Sequence, residues 1–98
     1  MHAAVRRYRV RDIEALVAKI EHELADRVKQ VDGFVGYYVI DGDDGTAASV
    51  TVGETAQAVA ESTRLTGDWM RESASELVDG SPEVTVGEVR VRAEQTGG

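Results

Sequence analysis

The chain predicts an α+β domain of ferredoxin-like type: a four-stranded antiparallel sheet with two helices on one face, in the order β-α-β-β-α-β. Three observations carry this. Apolar residues recur at helical spacing in two long stretches, β-branched residues cluster in four short ones, and Gly- and Asp-rich turns separate them. Short connections and right-handed crossovers leave few topologies for that order, and the ferredoxin-like sheet leads among them.

The elements follow in turn. Val5–Val10 reads as a first strand carrying Tyr8. Asp12 is placed to cap a helix whose stripe is Ile13, Leu16, Val17, Ile20, Leu24 and Val28, with Glu14, Glu21, His22, Arg27 and Lys29 on the opposite face. Asp32-Gly33 ends it. Phe34–Asp41 is a second strand, Asp43-Asp44-Gly45 a hairpin turn, and Ala47–Val52 the returning strand. Thr55 or Glu54 starts a second helix running to about Val78. Its closest-packed stripe is read as Ala56, Val59, Ala60, Thr63, Gly67, Met70, Ala74, Leu77 and Val78. Asp79-Gly80-Ser81-Pro82 stops it. Val84, Val86, Val89 and Val91 form the last strand, with a change of phase that predicts a bulge at Gly87 or Glu88. Residues 1–94 are read as one domain and 95–98 as a flexible tail.

Composition excludes several functions. The chain has 98 residues and no cysteine, so disulfides, thiolate zinc sites and cysteine nucleophiles are ruled out. That composition fits a reducing cytoplasm. No apolar run reaches the ~20 residues that span a bilayer, and the first residues lack the apolar core of a signal peptide. A net charge of -7 repels phosphate backbones and anionic lipids, so neither nucleic acid nor membrane is an expected partner. The run Gly33-Phe34-Val35-Gly36-Tyr37-Tyr38-Val39 has a faint look of an RNA-recognition motif. However, it follows the first helix instead of forming the third strand, and Asp32 replaces the leading basic residue. Asp41-Gly42-Asp43-Asp44-Gly45 fails the spacing of a calcium loop, and Glu21-His22-Glu23 diverges around its helix, so no metal site is expected.

The second strand breaks the rule that a one-sided sheet is apolar on one face. Phe34, Gly36, Tyr38 and Ile40 point one way and Val35, Tyr37 and Val39 the other, and both sets are apolar. A second copy covering the helix-free face resolves this, so a homodimer is expected with Val35, Tyr37 and Val39 at its interface.

Val31-Asp32-Gly33-Phe34-Val35-Gly36-Tyr37-Tyr38-Val39, Val52-Gly53-Glu54, the Trp69-bearing helix and Gly87-Glu88-Val89 together resemble the dimeric α/β-barrel superfamily. Within it, the chain is similar to the antibiotic-biosynthesis-monooxygenase-like proteins. The resemblance covers roughly Val5 to Arg92. It implies two sheets packed into a barrel-like dimer, a pocket between helices and sheet, and, in some members, oxygenation of phenolic polyketides with no cofactor. Other members degrade haem. Characterised members use an asparagine and a tryptophan, with a histidine added for haem. This chain has no asparagine, its histidines are His2 and His22, and Leu65 stands one turn before Trp69, so only Trp69 carries over.

Ligand-binding candidates follow. Trp69 is flanked at helical spacing by Ser62, Thr66 and Ser73, a set that either walls a pocket for a small aromatic or polyketide-like ligand or fills the helix–sheet junction. Tyr8, Tyr37 and Tyr38 could hydrogen-bond or deprotonate a phenolic ligand, or pack in the core or an interface, and Gly36 makes room for a neighbouring ring or backbone. Arg6, Arg7, Arg9, Arg90 and Arg92 lie on two strands expected to be adjacent, able either to hold an enolate or to pair with Glu83, Glu88 and Glu94. Two functions stay open. One is a small-molecule-handling homodimer resembling cofactor-independent monooxygenases of phenolic or enolisable substrates. The other is a non-catalytic ligand-binding or structural homodimer.

Overall fold

The computed structural model describes residues 1–95, so the tail expected at 95–98 lies, apart from Gln95, outside the described residues. Strands β1 (His2–Val10), β2 (Phe34–Asp41), β3 (Thr46–Gly53) and β4 (Val78–Glu88) form one antiparallel sheet in the order β2-β3-β1-β4. This is the ferredoxin-like arrangement. The central strand β1 begins earlier than expected because His2 already pairs with Gly53 on one side and Glu88 on the other.

The first crossover is a rod of three pieces: α1 (Ile13–Lys19), a π-helical turn (Ile20–Leu24) and α2 (Ala25–Lys29). Asp12 caps it, its carboxylate accepting from Ala15 N at 3.1 Å. Leu16, Ile20, Leu24 and Val28 are all buried. Spaced four apart, they would drift by about 40° per step around an α-helix. The wider π turn offsets part of that drift. Gly33, at φ +83, then turns the chain into β2.

The second crossover, α3 (Ala56–Ser73), is capped by Thr55, whose hydroxyl accepts from Ala58 N at 3.0 Å. It ends before the expected Val78. Ala74 leaves the helix, a 3₁₀ turn follows at Ser75–Leu77, and Val78 already begins β4. Its buried face also differs from the predicted stripe. Ala58, Val59, Ser62, Thr66, Gly67, Trp69 and Met70 are buried, whereas Ala56 and Ala60 are exposed. A reading by hydrophobicity misplaces this face because hydroxyl residues form part of it.

The expected stop at Asp79–Pro82 is a correction too: those residues belong to β4. Its register against β1 breaks between Arg7 and Arg9, not at Gly87 or Glu88. Gly80, at φ +70, and Pro82, which donates no backbone hydrogen bond, fit an edge-strand irregularity of this kind. Val89 and Val91 lie past the strand.

The sheet faces decide where function can sit. A register shift between Phe34 and Gly36 makes Val35 an extra residue, after which Tyr37 pairs with Thr51 and Val39 with Ser49. Tyr37 and Val39 therefore pack on the core beneath the helices. They do not line the open face as expected. Tyr38 and Ile40 line it instead, 59% and 52% exposed, together with Val5, Val50 and Val52. Alternation separates two sets of side chains but does not say which set faces up, and here packing of Phe34 and the bulge decide it. On the open face the Tyr38 ring lies over Gly36, whose missing β-carbon leaves the room the ring occupies.

Candidate functional site

The floor beneath α3 is built from the inward residues of three strands. Ala4, Arg6 and Tyr8 come from β1, Ala47, Ser49 and Thr51 from β3, and Tyr37 and Val39 from β2. Most side chains at its centre are small, and so are Ala58, Ser62, Thr66 and Gly67 on the helix above. Close approach of helix and sheet brings polar groups together in a buried layer. Tyr8 and Ser49 share a buried hydrogen bond of 3.0 Å.

Other groups there are unmatched. Arg6 Nε, Tyr37 Oη, Thr66 Oγ1 and Thr63 Oγ1 are all buried without a hydrogen-bond partner, and so is His2 Nδ1 farther along β1. Arg6 donates from Nη1 to the Thr63 carbonyl at 3.4 Å and stands 6.0 Å from the centre of the Tyr8 ring. Among the described residues it has no carboxylate partner, unlike Arg11, Arg64, Arg71, Arg90 and Arg92. A buried donor left unsatisfied costs about 1–3 kcal/mol, which makes such a group a marker for something that satisfies it. Burial and the neighbouring Tyr8 push the Tyr37 phenol well above the ordinary tyrosine range, against the opposing pull of Ser49 and Arg6. At neutral pH Tyr37 is thus a protonated donor. Arg6, Tyr37 and Thr66 each carry a donor free to meet an oxygen that carries negative charge.

The other candidates separate. Trp69 is 2% exposed and donates Nε1–H to Glu23 Oε1 at 3.1 Å, so its polar atom is engaged across to the π turn. Lys19 reinforces this junction, reaching the Ser73 carbonyl at 2.6 Å and Glu23 at 3.8 Å. Of the flanking set, Ser62 and Thr66 face the sheet with Trp69. Tyr38 is on the opposite face of the sheet from Tyr8 and joins no site with it. Arg90 and Arg92 pair with Glu88 and Glu94 outside the site.

Arg6 is set apart from the stripe of strand arginines with which the sequence groups it, and Tyr37, expected at an interface or against a phenolic ligand, lies on the helix side of the sheet. The available signal was that Arg6 alternates between Ala4 and Tyr8. A separate open cleft of about 850 Å³ lies between the end of α2 and the start of α3, bordered by Arg27, Asp32, Glu54, Glu61 and Leu65. Among the described residues no cluster of His, Asp and Glu is suited to a metal ion, and no helix is long and apolar enough to cross a membrane.

No family model and no curated protein matches the chain in sequence. Solved structures match it in fold. The monooxygenase ActVA-Orf6 of Streptomyces coelicolor, in complex with nanaomycin D, superposes with TM-score 0.76 at 20% identity, covering 97% of this chain and 92% of its own. This chain has the fold of the antibiotic-biosynthesis-monooxygenase-like proteins. SnoaB of Streptomyces nogalater, a cofactor-independent oxygenase, has TM-score 0.71 at 18% identity, covering 96% of this chain and 97% of its own. MhuD, with two manganese protoporphyrin IX molecules per active site, has TM-score 0.72 at 15% identity, covering 97% of this chain and 100% of its own. The monooxygenase-like fold thus holds small ligands of different shape in its solved members.

Proposed function

We propose that the chain is a small-molecule-handling homodimer of the cofactor-independent monooxygenase type, taking a phenolic or enolisable compound between α3 and the sheet. The observation that carries this reading is that Arg6 Nε, Tyr37 Oη and Thr66 Oγ1, two from the sheet and one from the helix above it, are all buried without a hydrogen-bond partner. Tyr37 and Thr66 would donate to a ligand oxygen, and Arg6 would favour its anionic form, the form in which an electron-rich ring reacts with oxygen. Tyr8 and Ser49 orient the floor, Trp69 and Ser62 pack the helix that roofs it, and the Ser73 carbonyl ties the end of that helix to Lys19. A cytoplasmic setting belongs to the same reading.

The homodimer rests on the open face. Tyr38, Ile40, Val5, Val50 and Val52 form one apolar surface free of helices, of the kind face-to-face sheet packing covers. Sedimentation velocity should show a dimer that Ile40→Glu dissociates. A concentration-independent wild-type monomer overturns that part of the reading.

Titration with 1-naphthol, followed by Trp69 fluorescence, tests the site. Saturable binding, weakened at least about fivefold in both Tyr37→Phe and Thr66→Val, supports it. Absence of binding, or binding indifferent to both substitutions, overturns it. Oxygen uptake with electron-rich phenols then separates the oxygenase from a second reading, a non-catalytic binder. That second reading is favoured by one observation: the Trp69 indole N–H is already committed to Glu23.

A further inference from the structure

Gly67 is buried on α3, and a β-carbon there would lie 3.6 Å from Arg6 Nη1, 3.7 Å from Arg6 Nη2 and 3.6 Å from Arg71 Nη1. Two guanidinium groups, one from the sheet and one from the helix, therefore meet over a stretch of helix that carries no side chain. Arg71 is held there by Asp68, which also binds Arg64 at 3.2 Å, and Arg64 in turn pairs with Glu61. The two helix arginines are thus balanced by two carboxylates, and among the described residues Arg6 is the surplus charge. Arg6 pairs across the sheet with Val84, and Ala4 beside it pairs with Val86. Both valines sit on the helix side of edge strand β4, where they are 46% and 56% exposed. An uncompensated cation beside an exposed apolar strip has a complementary ligand: an anion with an apolar body.

We propose that the notch at Gly67 is the anion-recognition end of the ligand site, that its ligand is a small organic carboxylate, and that the ligand's apolar body lies along Val84 and Val86. This deepens the function proposed above and rests on it through Arg6, which serves both. A guanidinium fork offers a carboxylate two parallel hydrogen bonds, and the nearness of the second guanidinium raises the preference for negative charge. The carboxylate would also supply the partner that Arg6 lacks. A β-carbon at Gly67 would make ordinary contacts with both guanidinium groups, so a methyl group is tolerated there and only a larger side chain would compete with the ligand for them.

The test compares 2-naphthoate with its neutral amide, 2-naphthamide, by calorimetry on the full chain. We expect naphthoate to bind at least tenfold more tightly. We further expect Arg6→Met to abolish that preference, and Gly67→Val to weaken naphthoate severalfold with naphthamide less affected. Amide-proton shifts on adding naphthoate should map to Gly67 and Val86. Equal binding of the two compounds, no binding of either, or a preference that survives Arg6→Met overturns the proposal. Displacement of a second chain by Val86→Lys, with no naphthoate binding in the wild type, overturns it as well. The wild-type comparison decides the matter even if a variant fails to fold. Naphthol binding that depends on Tyr37, without preference for naphthoate, defeats this inference alone. Naphthoate binding that depends on Arg6, without naphthol binding, defeats the phenolic reading alone.

Discussion

The space between helices and sheet is divided into two unlike halves. Under the α1–π–α2 rod, Leu16, Leu24 and Val28 are 0% exposed and pack in one cluster with Trp69 and Met70, next to Phe34, and the indole N–H in that cluster is bonded to Glu23. Under α3 the same sheet presents Arg6, Tyr37 and Ser49 to Ser62 and Thr66, and several of those polar atoms are unmatched. The first half is what a small core needs in order to fold. The second costs stability that apolar residues of the same shape would not. The packing that stabilises the fold and the proposed ligand site thus lie side by side on one sheet, and mutations should separate them.

The largest effect belongs to the apolar half. Leu24→Ala should destabilise the fold by about 2–5 kcal/mol in urea denaturation, the range for emptying a fully buried leucine site. A loss under about 1 kcal/mol would show that the rod does not anchor the domain. Alkaline pH should reach the polar half. Unfolded tyrosine ionises near pH 10, and buried Tyr37 resists ionisation beyond that. Its contribution is therefore fully present below pH ~10 and is lost as pH rises through the folded value, at about 1.4 kcal/mol per pH unit for one proton. Tyr37→Phe should flatten this component of the stability–pH curve, and an unchanged curve would place the ionisation elsewhere.

A smaller and opposite effect sharpens the contrast. Thr66→Val deletes an unpartnered buried hydroxyl at similar volume, and should raise stability by about 1 kcal/mol by calorimetry while weakening ligand binding. A clear loss of stability would mean that the hydroxyl is satisfied in solution. The smallest effect is on the surface. Arg11 holds the exposed Asp79 carboxyl below the usual range, so the benefit of the pair is present above the ordinary aspartate pKa and fades as pH falls through the lowered value. Asp79→Asn should leave the melting temperature at neutral pH within experimental error, and a drop of several degrees would show that this link between β4 and the start of α1 matters.

The parts of the fold legible in the sequence are those set by near neighbours. Asp12 and Thr55 cap the helices they precede because the bond runs only three residues ahead. Phe34–Asp41 was placed to the residue because β-branched and aromatic residues lie between two turns. The rod stripe from Ile13 to Val28 was correct, although its π turn was not foreseen, since four-residue steps read as helix of either kind. The site was less legible. The spacing to Trp69 puts Ser62 and Thr66 on its side of the helix, where both are buried, yet Trp69 itself is tied to Glu23, a partner 46 positions away.

What the sequence determined by itself was the order of elements and the presence of apolar residues on both faces of β2, because periodicity and turn chemistry are written locally. Which residues of β2 look toward the helices was decided only in the assembled sheet. The bulge at Val35 and the packing of Phe34 turned Tyr37 inward and Tyr38 outward. Three-dimensional packing likewise separated Arg6 from its neighbouring arginines: parity along β1 carries Arg6 under α3 to Thr63 and Gly67, while Arg7 and Arg9 remain exposed. A charge acquires its role from what surrounds it, and those surroundings come from chain segments more than fifty residues apart.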